Sequence, residues 1–311
     1  MAVCLNRLFS LSARSMSTVG FVGLGNMGGY MAKNLVKAGK DVVVYDVNDA
    51  SVQDLKSSGA GACSTPSELA GRSDVIVTMV PSSPHVQEVF TGSEGLLKSL
   101  KPGTLCIDSS TIDPAVSKDI DSAVRAAGGH FYDAPVSGGV VAAEKGILTF
   151  MVGGDADKFD QVKSYLDHMG ANVIHCGANG NGLVVKLCNN MMLAISMIGA
   201  AETLNMGVRM GMEKKLLSDI LGKSTARCWS IDTYNPVPGV MEGVPASRDY
   251  EGGFGATLML KDLGLAELMA DGSDSPIVLG KMAKNIYDEL CQDEKFAPKD
   301  FGVIFKKLNE Q

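Results

Sequence analysis

Disulfide and metal signatures are the first things missing. The seven cysteines contain no C-x-x-C pair and are widely scattered, so they read as reduced thiols rather than as a disulfide framework. The four histidines include no H-E-x-x-H spacing, and no metal centre is expected. Basic charge is short as well. A net charge of −7 argues against nucleic acid as a partner, because binding a phosphate backbone takes a cationic face. A second long apolar run is also lacking. The one present, 183–201 (LVVKLCNNMMLAISMIGAA), has the length of a membrane span, but Lys186, Asn189 and Asn190 interrupt one end. It reads as a buried helix joining two domains, and no membrane partner is expected.

What remains is a globular composition, 45% hydrophobic and 20% charged, in 311 residues that suit two domains of ordinary size. Residues 1–17 carry Arg7, Arg14 and four serines without an acidic residue, the composition of a mitochondrial transit peptide. From Thr18 the chain alternates short apolar runs with helical patterns. TVGFVG, DVVVYD, DVIVTM, TLCID, HFYDA, LTFMVG and NVIHC read as strands, with helices such as Met27–Lys37 and Ala115–Ala127 between them. Asp113-Pro114 offers an N-cap and a first-turn proline for the second of these. Strands apolar along their whole length imply burial on both faces, hence a mostly parallel sheet covered by helices.

At the end of the first strand stands Gly23-Leu24-Gly25-Asn26-Met27-Gly28. A lone G-x-G-x-x-G is weak, but this one follows a strand, opens a helix and precedes a second strand ending in Asp46, 18 residues after Gly28. Gly23 allows the tight turn, Gly25 lets a diphosphate approach the backbone, and Gly28 lets helix and strand pack closely. The Asp46 carboxylate can accept from the adenosine ribose hydroxyls and repels a 2′-phosphate. No Arg or Lys follows in Val47-Asn48-Asp49, which favours NAD over NADP. Two later strand ends share the cleft by topology, so Val80, Pro81 and Thr111 can line the cofactor path or serve only as turns.

Lys186 is out of place in its apolar run. Lysine is seldom fully buried, and one desolvated beside other cations has a lowered pKa and exchanges protons near neutrality. Asn190, at i+4, shares its face. Ser137-Gly138-Gly139, within DAPVSGG, offers successive N–H groups and a hydroxyl as a nest for a carboxylate, or else a plain turn. Lys261, in LMLKDLGLAELM, either pairs with Asp262 at the surface or points into a cleft along the stripe Leu258–Lys261–Leu265.

Taken together and in this order, FVGLGNMG, DAPVSGG, GLVVKLCNN and KDLGLA resemble the β-hydroxyacid dehydrogenase family over nearly all of the chain after the leader. The stretch from Arg227-Cys228-Trp229 to Pro238-Gly239 points to a mitochondrial branch of it. The resemblance implies a catalytic Lys186, with Asn190 and Ser137-Gly138-Gly139 binding a small hydroxy acid. It implies NAD held by Gly23 to Gly28, Asp46, Val80, Pro81, His85 and Thr111, with Lys261 near nicotinamide and substrate. It also implies an α/β fold in which an NAD-binding Rossmann domain (18–180) precedes an all-helical domain (181–311), a homodimer or homotetramer, and residence in the mitochondrial matrix. The sequence departs from the family pattern at Val140-Val141, at Leu183 and at His85; the first two would narrow the pocket or trim a hydrogen bond, and none removes a catalytic group. Two rival readings are an NADPH-dependent reductase of glyoxylate or succinic semialdehyde and a non-catalytic NAD-binding scaffold. Asp46 speaks against the first, Lys186 and Asn190 against the second.

Overall fold

The computed structural model describes residues 17–310, so the expected transit peptide lies, apart from Ser17, outside the described residues. Nine strands build one sheet: β1 (Thr18–Val22), β2 (Asp41–Tyr45), β3 (Gly61–Ala62), β4 (Val75–Thr78), β5 (Leu105–Asp108), β6 (His130–Asp133), β7 (Val136–Ser137), β8 (Leu148–Gly153) and β9 (Gly170–Gly177). Their order begins β3-β2-β1-β4-β5-β6, all parallel. That is the doubly wound order of dinucleotide-binding proteins, in which β1 and β4 diverge at the cleft. Beyond β6 the direction changes, since β8 runs antiparallel to both β6 and β7 and parallel to β9. All seven strands read from the sequence are present. β3 and β7, of two residues each, carry too little pattern to be read.

Helices α1 (Gly28–Lys37), α2 (Asp49–Ser57), α3 (Pro66–Arg72), α4 (Ser83–Thr91), α5 (Pro114–Ala126), α6 (Gly139–Lys145) and α7 (Phe159–Leu166) connect the strands. The first begins one residue later than its sequence pattern, with Met27 as N-cap. The fifth starts at Pro114, and the Asp113 carboxylate accepts from the Ala115 N–H at 2.8 Å. β1, β2, β4, β5 and β6 each feed two cores at once. Val19, Phe21, Val77 and Ile107 lie in the core on one face, while Val22, Ile76, Cys106 and Phe131 lie in the core on the other. This is why these strands are apolar without alternation.

After β9 the chain is helical: α8 (Asn181–Arg209), α9 (Lys214–Lys223), α10 (Trp229–Asp232), α11 (Ala256–Gly272), α12 (Val278–Cys291) and α13 (Ile304–Asn309). With 29 residues, α8 is about 43 Å long. Its first turns lie on β6, β8 and β9, and the five later helices pack along the rest. Met197 and Leu204 of α8 meet Met259, Tyr287, Phe301 and Phe305 in a third core. The helix is apolar nearly all round yet covered only in part, for Val184, Val185, Met192 and Met206 are exposed. The run that has a membrane span's length is here a core helix.

The cleft edge of the sheet is tied by side chains. Buried Asp108 accepts from the Thr78 hydroxyl (2.7 Å) and the Ser110 N–H (3.1 Å), joining the ends of β4 and β5. Burial pushes its carboxyl up to about 6, against the pull of those hydrogen bonds. A carboxyl raised in the folded state is penalised once ionised, so the parent loses stability as pH rises through this interval. Asp108→Asn lacks that loss. Its Tm relative to the parent is expected to rise between about pH 4 and about pH 6 and then level off. Thermal melts across that range check it, and a flat or falling difference refutes it.

Candidate active site

β1 hands over to α1 through the glycine turn. Gly23 has φ +93°, and a Cβ there would stand 2.2 Å from the Met79 carbonyl oxygen. A Cβ on Gly28 would stand 1.9 Å from the Gly23 carbonyl oxygen, so strand end and helix touch backbone to backbone. Gly25 differs, for no atom lies within 4 Å of where its Cβ would be. That open space stands at the N-terminus of α1, whose first turn carries no acidic residue, and a helix N-terminus favours an anion. The cradle fits a dinucleotide diphosphate.

Asp46, half-buried just past β2, accepts from the Leu24 N–H at 2.5 Å and the Asn48 N–H at 2.7 Å. One carboxylate thus pins the glycine turn, and its remaining lone pairs can still accept from ribose hydroxyls. The turn-pinning role was not read from the sequence. At the next strand ends, the Val80 N–H donates to Ser110 Oγ at 2.9 Å, and Pro81 is exposed. His85 is exposed too, with its Nδ1 2.7 Å from Ser82 Oγ. Thr111 is half-buried.

Lys186 is only 7% exposed. Among the described residues no hydrogen-bond or ion-pair partner reaches its Nζ. Burial lowers its pKa, the Asp262 carboxylate opposes this, and the Lys261 ammonium adds to it. Asn190, one turn on and also buried, does not bond to Lys186. Its Nδ2 donates to Asp262 at 2.5 Å, and its Oδ1 accepts from Asn189 Nδ2 at 3.0 Å.

Lys261 pairs with Asp262, but the pair is not at the surface, since Asp262 is buried. Its Nζ lies 3.2 Å from Asp262 Oδ1 and also donates to the Thr111 carbonyl (2.8 Å) and the Pro81 carbonyl (3.3 Å). It therefore reaches from α11 to both strand-end loops across the cleft. Asp262, 2% exposed, is the functional candidate that sequence reading passed over as half of a surface pair. Its signal was a carboxylate within the apolar LMLKDLGLAELM, an anomaly of the same kind as Lys186. The start of α11 is held by another buried acid. Asp300 accepts from the Phe254 N–H (2.9 Å) and the Tyr234 hydroxyl (2.8 Å). Burial pushes its carboxyl up to about 6.

The Ser137–Gly139 stretch joins β7 to α6, with Gly138 at φ +133° and Gly139 at φ +70°. No hydrogen bond links it to Lys186. Of the departures from the family pattern, Leu183 turns away into the sheet core, and Val141 is 57% exposed.

A doubly wound sheet with an open glycine cradle at the end of its first strand defines the class of NAD-binding proteins. Comparison with known proteins agrees. Residues 18–177 match the model for the NAD binding domain of 6-phosphogluconate dehydrogenase, and residues 180–307 match that for the NAD-binding domain of NADP-dependent 3-hydroxyisobutyrate dehydrogenase. The mitochondrial 3-hydroxyisobutyrate dehydrogenase of Mus musculus is 52% identical over 310 residues, covering 100% of this chain and 91% of the mouse protein. The Homo sapiens enzyme is 51% identical, with 100% and 90% covered. The solved 3-hydroxyisobutyrate dehydrogenase of Mycobacterium tuberculosis with L-serine superposes with a TM-score of 0.89 at 36% identity, covering 94% of this chain and 99% of that one. The chain belongs to the 3-hydroxyisobutyrate dehydrogenase family.

The glycine turn makes a paired prediction. Gly25→Ala places its methyl in open space, so it should keep the parent's Tm yet lose roughly tenfold or more in NAD affinity, about 1.4 kcal/mol. Gly28→Ala should lose both, because its methyl collides with backbone. Calorimetric NAD titration beside thermal melts distinguishes them, and normal NAD affinity in Gly25→Ala would move the diphosphate elsewhere.

Proposed function

We propose that the chain catalyses NAD-dependent oxidation of 3-hydroxyisobutyrate to methylmalonate semialdehyde, a step of valine breakdown, with Lys186 as its acid–base residue. The observation that carries this is a buried amine without a hydrogen-bonding partner, its pKa lowered, on the helix that crosses from the sheet into the helical half. NAD, when bound, supplies the hydride acceptor. Neutral Lys186 takes the hydroxyl proton and returns it in the reverse direction. Ser137, Gly138 and Gly139 receive the substrate carboxylate. Asn190 holds Asp262 with one N–H of its amide and offers the other to the substrate. Gly23 through Gly28, Asp46, Val80, Pro81, His85 and Thr111 form the cofactor side, and Lys261 stands between it and the substrate. Kinship with mitochondrial enzymes supports a mitochondrial protein, and the matrix is the compartment this reading assigns. The domain limit is placed between 180 and 181. A homodimer or homotetramer is supported by apolar side chains exposed on the helical half, among them Met192, Met206, Leu268 and Leu279.

Lys186→Ala should cut turnover by about 10²–10⁴, the usual worth of general acid–base help, and leave NAD affinity near normal. Retention of more than about a tenth of the activity refutes the assignment. The steady-state panel is 3-hydroxyisobutyrate, 3-hydroxypropionate, serine and 4-hydroxybutyrate, each with NAD and NADP. A serine preference removes the substrate assignment and an NADP preference the cofactor assignment.

The pH profile tests the electrostatics separately. Oxidation needs the free amine, so kcat falls on the acid side of the Lys186 pKa. Asp262→Asn removes the anion that raises this pKa and should move the acid limb to lower pH. Lys261→Met removes the cation that lowers it and should move the limb to higher pH. Shifts in the same direction would exclude Lys186 as the titrating group.

A further inference from the structure

We propose that Asp133, at the end of β6, is the positioning residue for Lys186. Its carboxylate fixes the first turn of α8 and thereby the place and the burial of the amine one turn further on. The inference rests on the reading of Lys186 as the acid–base residue, and it adds a residue that this reading does not contain.

The N-cap of α8 is Gly180, at φ +89°, and glycine has no side chain with which to cap. Asp133 supplies the missing acceptor from another element. Its Oδ1 accepts from the Gly180 N–H at 2.7 Å and from Asn179 Nδ2 at 3.2 Å, and its Oδ2 accepts from the Leu183 N–H at 2.9 Å. A carboxylate at the positive end of a helix is well placed electrostatically. The site is also built by omission of side chains. A Cβ on Gly153 would stand 2.4 Å from Oδ1, and one on Gly182 would stand 2.8 Å from Oδ2. Two glycines thus enclose the carboxylate, which is 1% exposed.

Leu183 and Lys186 are three residues apart and neighbours along the helix surface. Whatever sets the Leu183 N–H therefore sets the amine.

The charged surroundings of the two groups differ. Lys186 faces Lys261 and Asp262 of α11. Asp133 faces Asp108, its register partner on β5, and Cys176 on β9. Burial raises the Asp133 carboxyl, while the N–H groups of Gly180 and Leu183 hold it down. Asp133 acts on Lys186 through the backbone it holds rather than as a nearby charge.

Asp133→Asn tests this, because it keeps the shape but has one acceptor oxygen for two enclosed backbone N–H groups. NAD affinity should stay near that of the parent, since the glycine turn is untouched. The expected loss in kcat is about 10²-fold, the cost associated with a shift of roughly 1 Å in a reacting group. KM should change far less. As Lys186 gains water its pKa returns towards the ordinary lysine range, so the acid limb of kcat should move to higher pH. Acetylation of Lys186 by acetic anhydride in the cofactor-free protein, read by peptide mass spectrometry at a pH above the limb, where the amine is free in parent and variant alike, should become faster. A purely structural role would lower the folded fraction without moving the limb.

Should Asp133→Asn fail to fold, Asn179→Ala removes a single bond to the same carboxylate and should move the limb and the labelling rate the same way, by less. Unchanged kcat, limb and labelling in the folded variant overturn the proposal. Lys186→Ala is assayed alongside. If it stays active the acid–base reading fails, while the labelling experiment, which needs no turnover, still decides whether Asp133 governs the burial of Lys186.

Discussion

A lysine side chain buried in an apolar helix is the constraint around which the two halves of this protein are arranged. Burying a cation is costly, and the cost falls if the group sheds its proton. Lys186 is placed where that outcome is favoured, in an apolar helix, beside a second ammonium and with one carboxylate as counterweight. The counterweight matters. Without Asp262 the amine would be driven further towards neutrality, and without Lys261 it would be held more firmly as an ammonium. The balance requires α8 and α11 to keep their separation, and the core of Met197, Leu204, Met259 and Tyr287 fills the space between and around these helices.

The second half reaches back to the first through that same ammonium. Lys261 donates to carbonyls of Thr111 and Pro81, which lie 150 and 180 residues away in sequence. The strand-end loops it touches are in turn set by Thr78, Asp108 and Ser110. A polar network therefore runs along the carboxyl edge of the sheet and ends on the helix that faces the buried lysine. The cleft is lined by groups that depend on one another for position.

The parts of this arrangement legible in the sequence are those whose physics is local. A tight turn under a diphosphate needs glycines at fixed spacing, so Gly23, Gly25 and Gly28 stand out, and strands buried on both faces write themselves as unbroken apolar runs. Lys186 was legible as an exception to its surroundings. Asp262 offered the same kind of exception and was lost because a lysine beside it supplied an ordinary explanation. Asp133 could not be read as a helix cap, since its partners at Gly180 and Leu183 lie 47 and 50 residues on and are joined to it only by the packing of β6 against α8. β3 and β7 escaped because two residues show no period. Asn190 shared the predicted face of Lys186, but its amide goes to Asp262, a choice fixed by a helix that begins some 70 residues later.

The bond from the Leu24 N–H to Asp46 has a bearing on redesign. The residue that would discriminate between the two nicotinamide dinucleotides is also a strut of the loop beneath the diphosphate. Swapping it for a neutral or cationic side chain, the obvious route to accepting a phosphorylated ribose, would slacken that loop in the same stroke. On the proposed reading, selectivity and loop shape share one carboxylate, and a variant meant to accept the other dinucleotide would need a replacement acceptor for Leu24 as well as a cation for the phosphate.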